Sequence, residues 1–237
     1  MTSSASAFSP TDAGTAETVW RALLESQARW EPRGGAVVVV SPHPDDETLA
    51  AGGLIRQWAL SGHPVTVLSV TDGERAYANW TGLDLVRRRE LSEGLRLLAP
   101  VHLSIRRVGI PDGEVASQTN RLRSALLQVT DETTTIVAPY ERDGHPDHDA
   151  TGRVCLEVAH TSRVALARYP IWSWHRRTAA MLSGLSWGKY VLNGDTQRAK
   201  MRAIECFESQ IRPPFGEPIL PPNVLEYFSR PYEAFIV

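Results

Sequence analysis

The sequence predicts a single α/β domain of Rossmann-like type, a mostly parallel sheet with helices on both faces. Three observations carry that reading. Short apolar, β-branched runs such as Val37–Val40 alternate along the chain with longer amphipathic stretches, the order in which strand–helix–strand units are written. Several runs are hydrophobic end to end, as strands buried on both faces must be. A chain of 237 residues with 42% hydrophobic side chains is ample for one large core, and no linker of Gly/Ser or Pro type divides it.

The elements follow in order. Residues 1–14 form a Ser-, Thr- and Ala-rich segment set apart as mobile, and residues 15–237 form the domain. A helix is expected from Ala16 to Arg29, leaving Trp20 and Trp30 to pack against the rest. Val37–Val40 is the first strand, followed by a tight turn and a helix with Pro44 at its first position. Gly52-Gly53 inside that helix costs roughly 1 kcal/mol per residue against Ala, so the pair is expected where a neighbouring backbone comes close. Val65–Val70 is the second strand, Leu83–Leu98 a helix, Leu103–Val108 the third strand and Thr119–Thr130 a helix. Thr133–Tyr140 is the next strand, Asp149–His160 a helix, and Val164–Trp174 a strand that places Trp172 and Trp174 on one face. The Pro-rich run Ile211–Asn223 is either a wall over the crevice or a surface loop.

Composition excludes several classes. A formal charge of -2 leaves no electrostatic footprint for nucleic acid, and no basic amphipathic helix suggests a membrane surface. The N-terminal segment lacks the basic start and apolar core of a leader, and no apolar run approaches membrane-spanning length, so a cytoplasmic protein is expected. Cys155 and Cys206, the only cysteines, are expected as free thiols.

Chemistry concentrates after two strands. Ser41-Pro42-His43-Pro44-Asp45-Asp46-Glu47 follows the first, and Glu141-Arg142-Asp143-Gly144-His145-Pro146-Asp147-His148 follows the fourth. With His43 at a helix cap, Asp46 three residues on can reach the same cation, while Asp45 projects to another side. Acids in a first helical turn are favoured by the helix dipole in any protein. Two of the chain's 7 histidines within four residues of a second post-strand loop turn the balance toward a joint metal site. Ligand crevices of open α/β sheets lie beyond the carboxyl ends of the strands, and both clusters occupy that edge.

These motifs resemble those of the zinc-dependent deacetylases of the PIG-L/LmbE family: Ser41 to Glu47 its first motif, His145 to His148 its second. Further likeness lies in Thr71-Asp72-Gly73-Glu74, Val86 to Leu91, Val108 to Glu114, Ser209-Gln210 and Pro231-Tyr232-Glu233. The resemblance spans roughly residues 35 to 237 and implies an LmbE-like fold. One departure is Phe207, where many relatives carry a His two residues before Ser-Gln; substrate contacts of that segment are therefore not carried over.

The resemblance implies one zinc ion per chain held by His43, Asp46 and His148, a mixed nitrogen and oxygen set that leaves a position open for water. Asp45 is then the base, and the carrier of a proton to the departing amine. His145 is expected to meet the tetrahedral oxyanion as an imidazolium, with Asp147 hydrogen-bonding its ring and favouring the charged form. Glu47 is read as a supporting or helix-start residue. Arg87 and Asp112 match positions that contact sugar hydroxyls in relatives.

The expected function is zinc-dependent hydrolysis of an N-acyl group, most simply N-acetyl, from an amino sugar or its glycoside, a small-molecule substrate. Two alternatives stay open: a zinc amidase acting on a non-sugar amide such as a thiol conjugate, and a non-catalytic metal-dependent ligand-binding protein. A nucleotide-binding fold is disfavoured, because the turn after Val40 offers Pro, His and Asp where a pyrophosphate needs glycines.

Overall fold

A computed structural model describes Pro10 and residues 12–237. Most of the N-terminal segment set apart at residues 1–14 lies outside them. Among the described residues eight strands form one sheet: β1 (Ala28–Arg29), β2 (Val37–Ser41), β3 (Val65–Ser69), β4 (Leu103–Arg107), β5 (Thr135–Pro139), β6 (Ala165–Tyr169), β7 (Trp187–Val191) and β8 (Tyr232–Ile236). Their order is β1-β7-β8-β6-β5-β2-β3-β4. Every pairing is parallel except those of β8, which runs antiparallel to β6 and β7.

The strand order places the site. From β2 the chain moves one way, to β3 and β4, and then returns to the other side of β2 as β5. The carboxyl ends of β2 and β5 therefore flank the point where the winding reverses, where an α/β sheet opens a crevice. Both His-Pro-Asp motifs leave from those two ends.

Helices α1 (Glu17–Glu25), α2 (Asp46–Leu60), α3 (Leu83–Leu98), α4 (Thr119–Leu127), α5 (Pro146–Ser162), α6 (Ser173–Arg176), α7 (Ala179–Leu182) and α8 (Gly194–Ile204) surround the sheet. Val37 and Val39 point to the face covered by α2, α3 and α8, Val38 and Val40 to the face covered by α4 and α5. All four valines are buried, which is why the run is apolar throughout. At Gly53 the close neighbours are side chains and not the backbone expected. A Cβ there would collide with the Leu192 side chain, and Gly53 N and Leu54 N donate to the Glu233 carboxylate at 2.7 and 2.8 Å. Gly152 likewise lets α5 settle on β5, since a Cβ would lie 2.6 Å from Pro139 O.

Three expectations are corrected. The N-terminal helix stops at Glu25, and Ala28–Arg29 pairs with β7 instead, the sheet's open edge capturing main chain that a continued helix would withhold. The strand expected over Val164–Trp174 ends at Tyr169. Pro170 offers no N–H, and the Asp143 carboxylate takes the N–H groups of Ile171, Trp172 and Ser173 at 3.1, 2.9 and 2.8 Å, bending the chain into α6. Trp174 enters the core, its ring 5.1 Å from that of Trp20 and 5.3 Å from that of Trp187. The helix starts also move. Pro146 and not Asp149 opens α5, with His145 at its cap, and α2 opens at Asp46, so Pro44 lies before the cap residue Asp45. No helix of the described residues is long and apolar enough to cross a membrane.

Candidate metal centre and cleft

Three donor atoms from the two turns face one another. His43 Nδ1 lies 3.2 Å from His148 Nε2 and 3.4 Å from Asp46 Oδ2, and His148 Nε2 lies 3.2 Å from Asp46 Oδ2. Those separations are close to the edges of a tetrahedral face around an ion bound at about 2.0–2.1 Å. The opposite side of each ring is also committed. His148 Nδ1 meets Asp143 Oδ2 at 2.9 Å, and His43 Nε2 meets Asp112 Oδ1 at 3.1 Å and Asp147 Oδ2 at 3.3 Å. A carboxylate behind each ring places the ring proton on the far nitrogen and leaves the facing lone pair for a cation, the second layer that metal-binding histidines have.

The charges agree with the geometry. Burial opposes charge on both rings, yet the carboxylates around them prevail and hold His43 well above the usual range and His148 up at about 9. Asp46 and Asp143 are both pushed down despite burial by the imidazoles they face. A buried cluster with more carboxylates than cations retains protons on its histidines. Oxygen and nitrogen donors without sulfur, three facing inward, fit zinc. Two further groupings share His43: one through His145 and His148, one through Asp112 and Asp147. A His43 Nε2 turned to two carboxylates within 3.3 Å is a donor, so the Nδ1 grouping with Asp46 is the coherent one.

Asp45 stands beside this triangle on a backbone of φ 136° and ψ -35°, a conformation that disfavours any residue with a Cβ. Its Oδ2 accepts from Arg87 at 3.0 Å, and the same guanidinium donates to Pro44 O at 2.7 Å and Gly73 O at 3.1 Å. Burial raises the Asp45 carboxyl to about 8, against the pull of Arg87. The carboxyl therefore exchanges its proton near neutrality.

His145 departs from expectation. Its ring lies edge-on to His43, centroids 4.9 Å apart, but its Nδ1 accepts the Asp147 N–H at 3.3 Å, which leaves the proton on Nε2. Burial first, and then the neighbouring charged rings of His148 and His43, push it down to about 3. Its hydrogen bond and its burial both favour the neutral ring with the proton on Nε2 over the expected imidazolium. Nor does the Asp147 carboxylate bind the His145 ring; it takes Gly113 N at 2.7 Å and Val115 N at 3.2 Å and faces His43.

Arg87 and Asp112 both line the cleft but are engaged within it, Arg87 on Asp45 and Asp112 on His43 and on Arg75 N at 3.1 Å. Asp143 escaped the sequence reading. It is fully buried and orients His148; its signal was an acid in the post-strand loop five residues before a candidate ligand. The inner cavity, about 100 Å³, is bounded by His43, Asp45 and Asp46 on its polar side and by Leu49, Ile171 and Trp172 on its apolar side. It adjoins an outer groove of about 450 Å³ that shares Asp112, His145, Trp172 and Ile219. From the Pro-rich run, Ile219 and Leu220 reach the inner wall.

A doubly wound α/β sheet with a cluster of His and Asp donors at its switch point defines a class of proteins with a candidate metal site, and sequence comparison narrows it. The chain belongs to the PIG-L family, GlcNAc-PI de-N-acetylase, whose model matches residues 38–159. The Bacillus cereus protein named probable N-acetyl-alpha-D-glucosaminyl L-malate deacetylase 2 is 31% identical over 148 residues, 57% of this chain and 64% of that protein. The chain spans less than two thirds of the length of the Bacillus relatives it matches. Among solved structures, N,N'-diacetylchitobiose deacetylase from Pyrococcus horikoshii superposes with a TM-score of 0.61 at 20% identity, covering 92% of this chain and 89% of that one. A zinc-inhibited form of teicoplanin deacetylase Orf2 does so with a TM-score of 0.61 at 21% identity, covering 74% and 84%. At such identities the likeness is one of fold.

Proposed function

We propose that this chain is a zinc-dependent N-deacetylase that hydrolyses the N-acetyl group of a small amino sugar or its glycoside. The observation that carries the reading is the inward triangle of His43 Nδ1, Asp46 Oδ2 and His148 Nε2, with Asp45 beside it in the cleft. Membership of the PIG-L family and relatives named for deacetylating N-acetylglucosaminyl compounds support the substrate class.

Zinc held by these three residues would supply Lewis acidity to water and to the amide carbonyl. Asp45, at about 8, takes a proton from the attacking water and returns it to the amine nitrogen as the C–N bond breaks. Arg87 fixes the carboxylate it uses. The Nε2–H of His145 donates to the amide oxygen as negative charge gathers there, and a neutral donor already oriented by the Asp147 N–H needs no reorganisation at that moment. Leu49, Ile171 and Trp172 give the inner cavity an apolar wall. Asp112, Asp143 and Asp147 hold the two ligand rings.

The test is amine release by the zinc-loaded chain from N-acetylated amino sugars and their glycosides, beside N-acetylated non-sugar amides. Release from the sugars alone is expected. Release from the non-sugar amides alone would overturn the substrate class, and no release from either would overturn the activity.

A further inference from the structure

The two turns carry the same sequence, His-Pro-Asp, yet only one holds its Asp in a strained backbone. Asp45 has φ 136° while Asp147, at the same place in the second turn, is an ordinary residue of the first turn of α5. Something outside the tripeptide imposes the difference. Two residues beyond each Asp stands another acid, Glu47 in the first turn and Asp149 in the second. Asp149 Oδ1 accepts Gly144 N at 2.9 Å and leaves Asp147 N free to bind His145. Glu47, one methylene longer, reaches back instead: its Oε2 accepts the Asp45 N–H at 3.2 Å.

We propose that Glu47 is a positioning residue, its carboxylate clamping the Asp45 backbone in the strained conformation that brings the Asp45 side chain to Arg87 and the cleft. This rests on the reading of Asp45 as the base. Glu47 is wholly buried, as are the two hydroxyl residues that hold it. Ser41 Oγ lies 2.8 Å from Oε2 and 2.6 Å from His43 O, and Thr48 Oγ1 donates to Oε1 at 2.6 Å. Ser41 thus ties the clamp to the carbonyl of a proposed metal ligand. With the Glu47 oxygens fixed by Ser41 at the end of β2 and Thr48 in α2, and the Arg87 guanidinium on Pro44 O and Asp45 Oδ2, the turn is gripped from two directions. A strained conformation persists only where its surroundings over-determine it.

Reach and charge are separated by two variants of the full chain loaded with zinc, with N-acetylglucosamine as the probe and amine release as the rate. Glu47→Asp keeps the carboxylate but withdraws it to the length of Asp149. It should lower kcat about 10- to 100-fold with KM within about twofold, because a base displaced by an ångström loses that much. Zinc should stay at its wild-type content. Glu47→Gln keeps the length and an acceptor and should remain within about threefold of wild type. In a crystal structure of Glu47→Asp, Asp45 should leave φ 136° and part from Arg87.

Wild-type kcat in Glu47→Asp, loss of zinc together with rate, or an equal fall in Glu47→Gln would overturn the clamp. If the wild-type chain binds zinc but releases no amine from the probe, the sugar reading fails by itself, and the Asp45 φ in the Glu47→Asp crystal still decides for or against Glu47.

Discussion

His43-Pro44-Asp45-Asp46 and His145-Pro146-Asp147-His148 leave neighbouring strands at the same edge of the sheet and do different work. In both, the fourth residue points into the candidate metal centre. The first residue does so only in one: His43 offers Nδ1 to the centre, whereas His145 caps α5 and keeps Nε2–H for the cleft. The third residue differs most, Asp45 strained and facing the cavity, Asp147 seated on the amides of Gly113 and Val115. The pair teaches that a short motif fixes which chemical groups reach the edge, while tertiary partners fix which of them take up the proposed roles of ligand, base or brace.

The fourth position is where the two turns should behave alike, and there the largest effects are expected. Ala at either Asp46 or His148 should strip zinc and take activity to background, read by elemental analysis and amine release. Full zinc in His148→Ala alongside loss of zinc in His145→Ala would show that the two histidines of the second turn have been assigned in reverse.

At the third position the turns should part. Asp45→Asn preserves shape but removes the base, so kcat should fall about 10²- to 10⁴-fold with zinc content intact. Asp147→Asn keeps an oxygen for Gly113 N or Val115 N and should cost far less rate. Equal losses in the two variants would erase the distinction drawn between them.

The first position comes next. His145→Ala should retain zinc and lose about 10²- to 10³-fold in kcat, the weight of one oriented donor to a developing oxyanion, with KM little changed. Because burial holds this imidazole at about 3, its variant should leave the alkaline side of the pH–rate profile in place. An alkaline limb that vanishes in His145→Ala would restore the imidazolium.

Much of this was legible in the sequence because it depended on chemistry close along the chain. The alternation of apolar runs gave away the parallel sheet, and His43 and Asp46, three apart, could share an ion. What could not be read depended on contacts far apart in sequence. The Asp143 carboxylate turns the chain at Ile171 to Ser173, so a strand that periodicity extends to Trp174 stops at Tyr169. The protonation of His145 depends on burial and on which atoms Asp147 meets, and a loop sequence carries neither. The strain at Asp45 likewise has no signature in His-Pro-Asp, since Asp147 follows the same two residues without it.

The smallest effect concerns the acids behind the two ligand rings. Burial disfavours charge on His148, but Asp46 and Asp143 raise it to about 9, and carboxylates raise His43 as well. Zinc needs the facing nitrogens bare, so binding must expel protons. Below about pH 9 the His148 ring carries its extra proton in the folded site, so zinc affinity should drop as pH falls, by about tenfold per pH unit for each proton displaced. Above that point the His148 share of the dependence should flatten. Competition with a chelator at pH 6, 7 and 8 reads the slope directly. Asp143→Asn removes one of the two charges that hold the His148 proton and should make the slope shallower, while lowering affinity at pH 8 by about 10- to 100-fold through the lost orientation of the ring. A slope as steep in Asp143→Asn as in the wild type would move the displaced proton from His148 to His43, whose ring the surrounding carboxylates also hold well above the usual range.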